Sequence, residues 1–412
     1  MTHIEPSSQT DPLAETTPLG AAPPASSPVG SPTGPGKGIA EAGNAGSGGN
    51  LYTASQWRLM WWRFRKHKLA MASGIFILLV YVLLVFAEFI APYHSSDHNA
   101  AYQHAPPQRL HLFEETPDGS RFNPHVKGLE YETDEETWRR SFSPDEEQVY
   151  PVRFFVRGHE YELFGLFTTD IHLFGTTDPE APMYLLGADR LGRDVLSRVI
   201  YGTRISMSIG LIGVVMALVL GVILGGISGY FGGWIDSAIQ RVIEFLRSIP
   251  EIPLWMALTA ALPRSWSQVQ VYFAITVILS IVGWTTLARV VRGRFFSLRE
   301  EDFVTAAVLD GASRPRIIFR HMLPSFTSHI VAAVTLAIPA MILAETALSF
   351  LGLGLTEPTV SWGVLLREAQ NIPSIAHTPW VLIVPATAVV STVLALNFLG
   401  DGLRDAADPY NK

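Results

Sequence analysis

Long apolar stretches separated by charged segments set the pattern of this 412-residue chain. Six stretches are each long enough, at 1.5 Å per residue, for a helix that crosses a hydrocarbon layer of about 30 Å. They predict transmembrane helices at about residues 69–90, 205–229, 238–262, 271–288, 329–351 and 380–399. We therefore expect an all-α membrane protein with six transmembrane helices, and the pattern argues against a soluble enzyme.

The first fifty residues contain nine Gly and eight Pro among many Ser, Thr and Ala. A segment of this composition buries too little apolar surface to offset the entropy of ordering, so residues 1–56 are expected to form a disordered tail. A signal peptide is not indicated, because the first apolar core begins only at Leu69. Basic residues and several Trp precede this core, so residues 57–90 are interpreted as a membrane anchor and the first transmembrane helix.

The distribution of Arg and Lys around the spans predicts the orientation of the chain, since short loops rich in these residues stay in the cytoplasm. The loop between the fourth and fifth spans carries Arg289, Arg292, Arg294, Arg299, Arg314, Arg316 and Arg320. The two short loops on the opposite side carry one Arg each, Arg264 and Arg367. Six spans and this asymmetry predict that both termini are cytoplasmic.

Residues 91–189 form a predicted insert on the extracytoplasmic side, after the first span. The insert has eighteen Asp and Glu against seven Arg and Lys. Such acidity is typical of a solvated surface, and a docking face for a basic partner is the alternative. Alternating residues at Gln148–Val156 and Glu160–Phe167 predict a β-hairpin that turns at residues 157–159, and the rest of the insert is interpreted as loops.

Residues 190–412 are expected to form the core transmembrane domain, with the other five spans. Arg190, Asp194 and Arg198 are spaced four residues apart, which predicts opposite-charge pairs on a helix along the outer membrane surface. The second span then carries a ridge of small residues that permits close helix packing. These residues are Gly221, Gly225 and Gly229.

The loop at about residues 289–325 is punctuated more specifically than a plain connection requires. Glu301 and its acidic neighbours suit the positive end of a helix, Gly311 can end that helix, and Ser313 can cap a second one. The sequence therefore predicts two short cytosolic helices joined by a sharp glycine turn, a shape that another protein can grip.

At this loop the chain resembles the inner-membrane permeases of binding-protein-dependent ABC importers, and among them the C-type subunit of dipeptide and oligopeptide permeases. The signature of that family is Glu-Ala-Ala, three residues, Gly, nine residues, Ile, one residue, Leu and Pro. The matching residues are Ala306, Ala307, Gly311, Leu323 and Pro324. Thr305 replaces the leading Glu and His321 replaces the Ile. Similar motifs begin at Leu191, Tyr230, Ala344 and Gly402, so the resemblance covers residues 57–412.

The resemblance implies a type I ABC importer permease fold in the bacterial inner membrane. The implied partners are a homologous B-type permease subunit in a heterodimer, two ABC ATPase subunits, a periplasmic substrate-binding protein and membrane lipid. The ATPases would bind ATP and Mg, since the chain has no Gly-x-x-x-x-Gly-Lys-Ser/Thr loop. Residues from Glu301 to Pro324 would lie in a groove of the ATPase and pass its closure to the spans.

Enzymatic and cofactor-dependent functions are disfavoured by the inventory of motifs. The chain has no Cys, no His-Glu-x-x-His and no Gly-x-Ser-x-Gly, and the histidines of the insert lack the spacing of metal ligands. We therefore expect no catalytic residue, no metal and no cofactor of its own. A formal charge of −7 also argues against a nucleic-acid partner.

Glu345 lies deep in the fifth predicted span, six residues after Pro339. Ionisable residues at such depth face a cavity or a polar partner, so Glu345 either serves a substrate path or a proton relay, or it bonds to the partner permease. An ion-coupled secondary transporter or channel that uses Glu345 is the alternative function. The missing pseudo-repeat and the long cytosolic loop favour the importer. Its substrate stays open among peptides, oligosaccharides, opines and nickel chelates.

Overall fold

The computed structural model describes residues 56–116, 119–136, 140–178, 181–370 and 376–407. The tail expected at residues 1–56 lies outside this range except for its last residue. The helices are, in chain order, α1 (Gln56–Lys66), α2 (Lys68–Val85), α3 (Ala87–Ile90), α4 (Val195–Phe231), α5 (Gly233–Ser248), α6 (Glu251–Ala260), α7 (Gln268–Leu298), α8 (Asp302–Leu309), α9 (Arg314–Arg316), α10 (Leu323–Ser325), α11 (Thr327–Phe350), α12 (Trp362–Glu368) and α13 (Pro379–Ala407). Among the described residues, α2, α4, α7, α11 and α13 are long and apolar enough to cross a membrane.

The third predicted span, at residues 238–262, is wrong as a continuous helix. α5 ends at Ser248 and α6 begins at Glu251, with extended backbone at Ile249 and Pro250 between them. Proline has no N–H to donate and disfavours helical backbone at the preceding residue, which accounts for the break. Neither piece alone has the length of a membrane span.

α5 and α6 together return the chain along the bundle. α4 and α7 are parallel, because their paired positions increase together: Gly213 faces Ser280, Gly221 faces Leu287, and Gly229 faces Phe295. The chain between two parallel helices must travel back along their length. Arg247 near the end of α5 marks this return, since it donates to the hydroxyl of Thr286 in α7 at 3.0 Å.

The core of the bundle lies where α4, α7, α11 and α13 pack together, with α2 against α4 and α13. Its fully buried side chains include Met207, Ile209, Ile275, Leu279 and Ile342. The outward faces of the same helices carry many exposed apolar side chains. A helix that is apolar on all sides is typical of a membrane span, whose outer face meets lipid instead of water.

The insert contains a four-stranded antiparallel sheet, in the order β1 (His111–Thr116), β2 (Gly119–Thr133), β3 (Arg140–Leu163) and β4 (Phe167–Thr176). β3 pairs with β2 along its first half and with β4 along its second half. The interpretation of most of the insert as loops is therefore wrong.

The predicted hairpin turn at residues 157–159 is also wrong. These residues lie inside β3, whose pairing with β4 only shifts register there. The chain turns at residues 164–166, where Phe164 and Gly165 have φ angles of 58° and 65°. Apolar and polar residues alternate on both sides of such an irregularity, so the pattern alone does not show which glycine turns the chain.

Candidate functional site

The loop that carries the signature contains two short helical segments joined at Gly311. α8 ends in a Schellman motif, in which the N–H of Gly311 donates to the carbonyl of Val308 and the N–H of Ala312 donates to that of Ala307, both at 3.0 Å. Gly311 has a φ of 74°, and no atom lies within 4 Å of the position that a Cβ would take. The turn therefore needs left-handed backbone at Gly311 and not a lack of side-chain volume.

Beyond this turn the chain forms one irregular helix, in which π-helical residues Ile317–Met322 connect α9 to α10. Ser313 stands at the N-cap of α9 but makes no side-chain cap bond there. His321 and Leu323 are half-buried, and Pro324 is exposed. A π-helical turn widens the helix just before Pro324, which cannot donate a backbone hydrogen bond.

One face of these loop helices packs against the end of the bundle. Its buried side chains are Val304, Ala307, Ile317, Ile318 and Met322. They lie against Phe295 of α7, whose ring meets that of Phe326 edge-on at a centroid distance of 5.6 Å. Apolar contact therefore joins the loop helices to α7.

The opposite face of the loop helices is exposed. Glu301, Thr305 and Ala306 lie on it. Four large apolar side chains of the loop helices are also exposed, Phe303, Val308, Leu309 and Phe319, and Leu309 is 82% exposed. We call these four side chains, with Thr305 and Ala306, the loop surface. An apolar group of this size on a loop outside the spans is typical of a protein interface.

A charged pair fastens the bundle next to the loop helices. Arg292 of α7 donates to the two carboxylate oxygens of Asp236 in α5, at 2.5 and 2.6 Å. The hydroxyl of Ser228 in α4 donates to the same carboxylate at 2.5 Å. Such a bidentate bond fixes geometry as well as charge, so three helices are tied together at this end.

The three glycines of the small-residue ridge lie where α4 meets α7. A Cβ at Gly221 would stand 2.7 Å from the Cβ of Leu287, and one at Gly229 would stand 2.6 Å from the Cβ of Phe295. At Gly225 an added Cβ would overlap the backbone of Ala288. The two helices therefore approach at backbone distance along the ridge.

Glu345 is fully buried in α11, six residues beyond Pro339 in the same helix. Its carboxylate accepts hydrogen bonds from the hydroxyls of Ser206 at 3.1 Å and Ser349 at 2.8 Å. The Ser206 hydroxyl in turn accepts the backbone N–H of Trp362 at 3.1 Å. Glu345 thus links α4, α11 and α12 within one chain.

Sequence reasoning missed a cluster of charges at the start of α4, in which Asp189, Arg193 and Arg198 are buried and Glu357 is exposed. Its members are Asp189, Arg193, Arg198, Glu357 and Glu368, and we call them the ion cluster. Arg198, only 2% exposed, donates to Asp189 at 2.6 Å and to the two oxygens of Glu368 at 2.6 and 2.7 Å. Arg193 donates to Asp189 at 2.7 Å and to Glu357 at 2.8 Å. The cluster joins α4 to α12 and to the loop after α11.

The pairing predicted for Asp194 is wrong. Asp194 caps α4, because its carboxylate accepts the N–H of Ser197 at 2.7 Å and the hydroxyl of Ser197 at 2.6 Å. Arg190 pairs with Glu357, and Arg198 turns into the ion cluster. The helix begins at Val195 and continues without a break as α4, so no separate surface helix precedes the span.

The two glutamates of the ion cluster differ in pKa. Burial raises the pKa of Glu368, whose carboxyl is hydrogen-bonded to Glu357. That hydrogen bond and the guanidinium of Arg193 hold the pKa of Glu357 at about 2. Glu357 is therefore ionised at neutral pH, and the cluster is held by charge-assisted hydrogen bonds.

Across the described ranges, no three His, Cys, Asp or Glu side chains lie close enough together to hold a metal ion. His159 and His172 of the insert lie against each other with a centroid distance of 4.4 Å. Nδ1 of His172 is 2.8 Å from the carbonyl oxygen of Ala91. These histidines hold the sheet to the chain just beyond α3.

Comparison with known proteins places these features in a family. The family model described as the inner membrane component of binding-protein-dependent transport systems matches residues 195–411, more than half of the chain. A second model, the N-terminal transmembrane domain of oligopeptide transport permease C, matches residues 55–107.

Two relatives show the same likeness. The chain is 41% identical over 249 residues to the oligopeptide transport system permease protein OppC of Salmonella typhimurium, covering 60% of this chain and 80% of that protein. It is 38% identical over 226 residues to the dipeptide transport system permease protein DppC of Alkalihalophilus pseudofirmus, covering 55% and 72%. An inward-facing structure of the MetNI methionine ABC transporter aligns with a TM-score of 0.41 and 19% identity, covering 52% of this chain and 97% of that chain. The family model and the two relatives show that the chain belongs to the membrane permeases of bacterial binding-protein-dependent ABC importers, and within them to the OppC/DppC type.

Proposed function

We propose that the chain forms half of a translocation pathway for di- or oligopeptides in the bacterial inner membrane, beside a homologous B-type permease subunit. Similarity to an oligopeptide and a dipeptide permease supports this substrate class. In this arrangement both termini and the loop helices are cytoplasmic, and the insert faces the periplasm and a substrate-binding protein. The arginine-rich loop between α7 and α11 supports the orientation.

The loop surface is the proposed contact with an ABC ATPase, and it is the observation that carries the mechanism. Leu309 and its apolar neighbours are exposed beside a turn fixed by Gly311, while the opposite face is packed against α7. A rigid helix face of this kind fits a groove in a partner. ATP and Mg are bound by the ATPases in this proposal, and this chain contributes no catalytic group.

Motion of the ATPases reaches the bundle through α7 in this proposal. The loop helices are packed against Phe295, and Arg292 one turn earlier is bound to Asp236. A displacement of the loop helices therefore acts on the ends of α4, α5 and α7 together. Coupling between the ATP site and the pathway then passes through packed helices with two arrangements.

Glu345 is proposed to have a packing role and not to relay protons. Its carboxylate is fully buried and has hydroxyl partners on α4 and α11. These bonds account for its depth in the membrane without a water-filled path. They give no support to an ion-coupled secondary transporter.

A substitution at Leu309 tests the ATPase contact. Leu309→Glu adds a charge to the loop surface but leaves every buried contact in place, so the permease is expected to assemble in the membrane. Binding of the ATPase and peptide-stimulated ATP hydrolysis in reconstituted vesicles are expected to fall at least tenfold. The matched control is Leu112→Glu, which changes an exposed leucine of the insert. Equal ATPase binding by the Leu309 variant and the control would reject the proposed contact.

Competition for uptake tests the substrate class. Vesicles that contain the four membrane-associated subunits and the binding protein are loaded with ATP and given a labelled tripeptide. Unlabelled peptides are expected to suppress its uptake, whereas an oligosaccharide and a nickel chelate are not. Uptake of either of these two in place of the tripeptide would contradict the peptide proposal without affecting the ATPase contact.

A further inference from the structure

The turn between β3 and β4 is apolar in an otherwise charged insert. Phe164, Leu166 and Phe167 are 56%, 76% and 66% exposed. Residues 163–169 carry no charge, although eighteen acidic and seven basic residues are spread over residues 91–189. Hairpin turns that face water are typically polar. We call Phe164, Gly165, Leu166 and Phe167 the hairpin tip.

The hairpin folds back along the end of the first membrane span. Ala91, just beyond α3, contacts His172 in the body of the hairpin, and the ring of Phe89 lies 6.2 Å from that of Phe155. Phe86, at the end of α2, instead reaches the tip, where its ring lies 5.8 Å from that of Phe164. Moving back along the chain from Ala91 into the span therefore leads from the body of the hairpin toward its tip.

The hairpin tip is continuous with a surface that faces lipid. α2 is one of the helices long enough to span a membrane, and its last turns expose Val82 and Val85. Phe86 follows them directly and is the residue that touches Phe164. The exposed side chains of the tip thus extend the apolar outer face of α2 at the level where that helix leaves the hydrocarbon.

From this continuity we infer that the hairpin tip inserts into the lipid leaflet on the side of the insert. Phe164, Leu166 and Phe167 lie among the headgroups and upper acyl chains, where aromatic side chains are favourable. Glu162 and Asp170, the charged residues that flank residues 163–169 on the two paired strands, stay in water and mark the limit of insertion. Asp170 pairs there with Arg157. The β3–β4 hairpin is therefore a second membrane anchor, supplied by a sheet.

Single cysteines test this inference in the complete transporter, because the natural chain contains no Cys. Leu166→Cys and, as the control, Glu146→Cys on the exposed part of the sheet are labelled with bimane and reconstituted in phosphatidylethanolamine and phosphatidylglycerol nanodiscs. The Leu166 label is expected to be quenched several-fold more strongly by nitroxide lipids than the Glu146 label. Iodide, which stays in water, is expected to quench the two labels in the reverse order.

The other possible occupants of the tip give distinct results. A Leu166 label that iodide quenches as strongly as the Glu146 label would place the tip in water and overturn the inference. A Leu166 label that is shielded from iodide but unaffected by nitroxide lipids would place a protein on the tip, and would overturn it too. Repeating the measurement with and without the binding protein identifies that protein as the binding protein or a membrane subunit.

Discussion

The two ends of α4 differ in how their surroundings are packed. At its start, Arg198 is buried and bonded to Asp189 and Glu368, so charges from distant parts of the chain satisfy one another. At its other end, the neighbouring loop helices bury one face and leave the loop surface exposed, including Leu309. The charges at the start of α4 find their partners within this chain, whereas the apolar side chains beside its other end remain exposed.

This difference separates stability from assembly. Removing a partner from a buried ion pair leaves an uncompensated charge, so the ion cluster should respond to substitution in the isolated subunit. Exposed apolar side chains contribute little to the stability of the isolated subunit. They contribute to binding when a partner covers them. Substitutions at the loop surface should therefore be silent until the ATPase is present.

The largest effect is expected at Arg198. Arg198→Ala removes the fully buried one of the two guanidinium groups that Asp189 and Glu368 share, and only Arg193 still contacts them. We expect a loss of up to about 3–5 kcal/mol in the free energy of unfolding. Denaturant unfolding of the purified subunit in detergent measures this loss. Arg241→Ala is the control, because Arg241 forms an exposed pair with Glu244, and such a pair contributes only about 0–1 kcal/mol. Similar losses of unfolding free energy in the two variants would mean that the ion cluster does not stabilise the isolated subunit.

A smaller loss is expected at Glu345. Glu345→Ala removes the acceptor of Ser206 and Ser349, and leaving these buried groups unsatisfied costs about 1–3 kcal/mol. Glu345→Gln keeps the shape and one acceptor oxygen, so it should preserve both assembly and ATP-driven uptake. Thermal unfolding and vesicle uptake are measured for both variants. Loss of uptake in a stable Glu345→Gln complex would return Glu345 to the transport pathway.

Gly311 tests how rigid the loop surface must be. Gly311→Val places a β-branched residue at a φ of 74°, where left-handed backbone costs about 1–2 kcal/mol for residues with a Cβ. Gly311→Asn should be milder, because Asn adopts this conformation more readily. Stimulated ATP hydrolysis is expected to fall in the order Gly, Asn, Val, while the membrane level of the complex stays constant. Equal rates for Asn and Val would mean that the backbone of this turn does not control coupling.

The smallest effect is a pH dependence in the insert. Burial, followed by the nearby His172, lowers the pKa of His159 to about 4, below its ordinary value of 6.5. The unfolded insert therefore binds more protons than the folded one between these values, and stability should decline as pH falls from 6.5 to 4. Asp97 opposes this shift and His94 adds to it. The protection factors of the β3 and β4 amides, which are hydrogen-exchange rates divided into the intrinsic rate at the same pH, measure the effect at pH 7 and pH 5.

His159→Gln provides the comparison for this titration. The variant keeps a polar side chain but cannot gain a charge in this pH range, so its protection factors should fall less between pH 7 and pH 5. An equal fall in the variant would assign the pH dependence to another group. The comparison is confined to the β3 and β4 amides, because burial also raises the pKa of Asp194, the cap of α4, to about 6, which lies inside this pH range.

Local features were predictable from the sequence and long-range ones were not. The loop helices are encoded within one short stretch, where Gly311 ends α8 as the glycine pattern predicts. The ion cluster joins Arg198 to Glu368, which is 170 residues away, and no periodicity connects the two. The i,i+4 rule favoured Asp194 as the partner of Arg198. The Asp194 carboxylate instead accepts a hydrogen bond from the N–H of Ser197 and caps α4.

Errors of segmentation have a different origin. The prediction of the third span as one helix is wrong because it relies on apolarity averaged over a long window. One proline, Pro250, hardly changes that average, although it breaks the helix. The prediction of the hairpin turn is wrong because the alternation of apolar and polar residues does not distinguish Gly158 from Gly165. Their difference lies in φ, which is positive at Gly165, and in the partner strand, which the sequence of one strand does not contain.

The glycine contact between α4 and α7 gives the bundle a mechanical property. Because a Cβ at Gly221 or Gly229 would already collide with α7, the two backbones interlock, and sliding one along the other would drive Leu287 or Phe295 into the opposing helix. We therefore expect α4 and α7 to move as one unit, with the loop helices beside one end and Arg198 at the other. A tilt that an ATPase imposes on the loop helices would then also displace the ion cluster at the opposite end of α4.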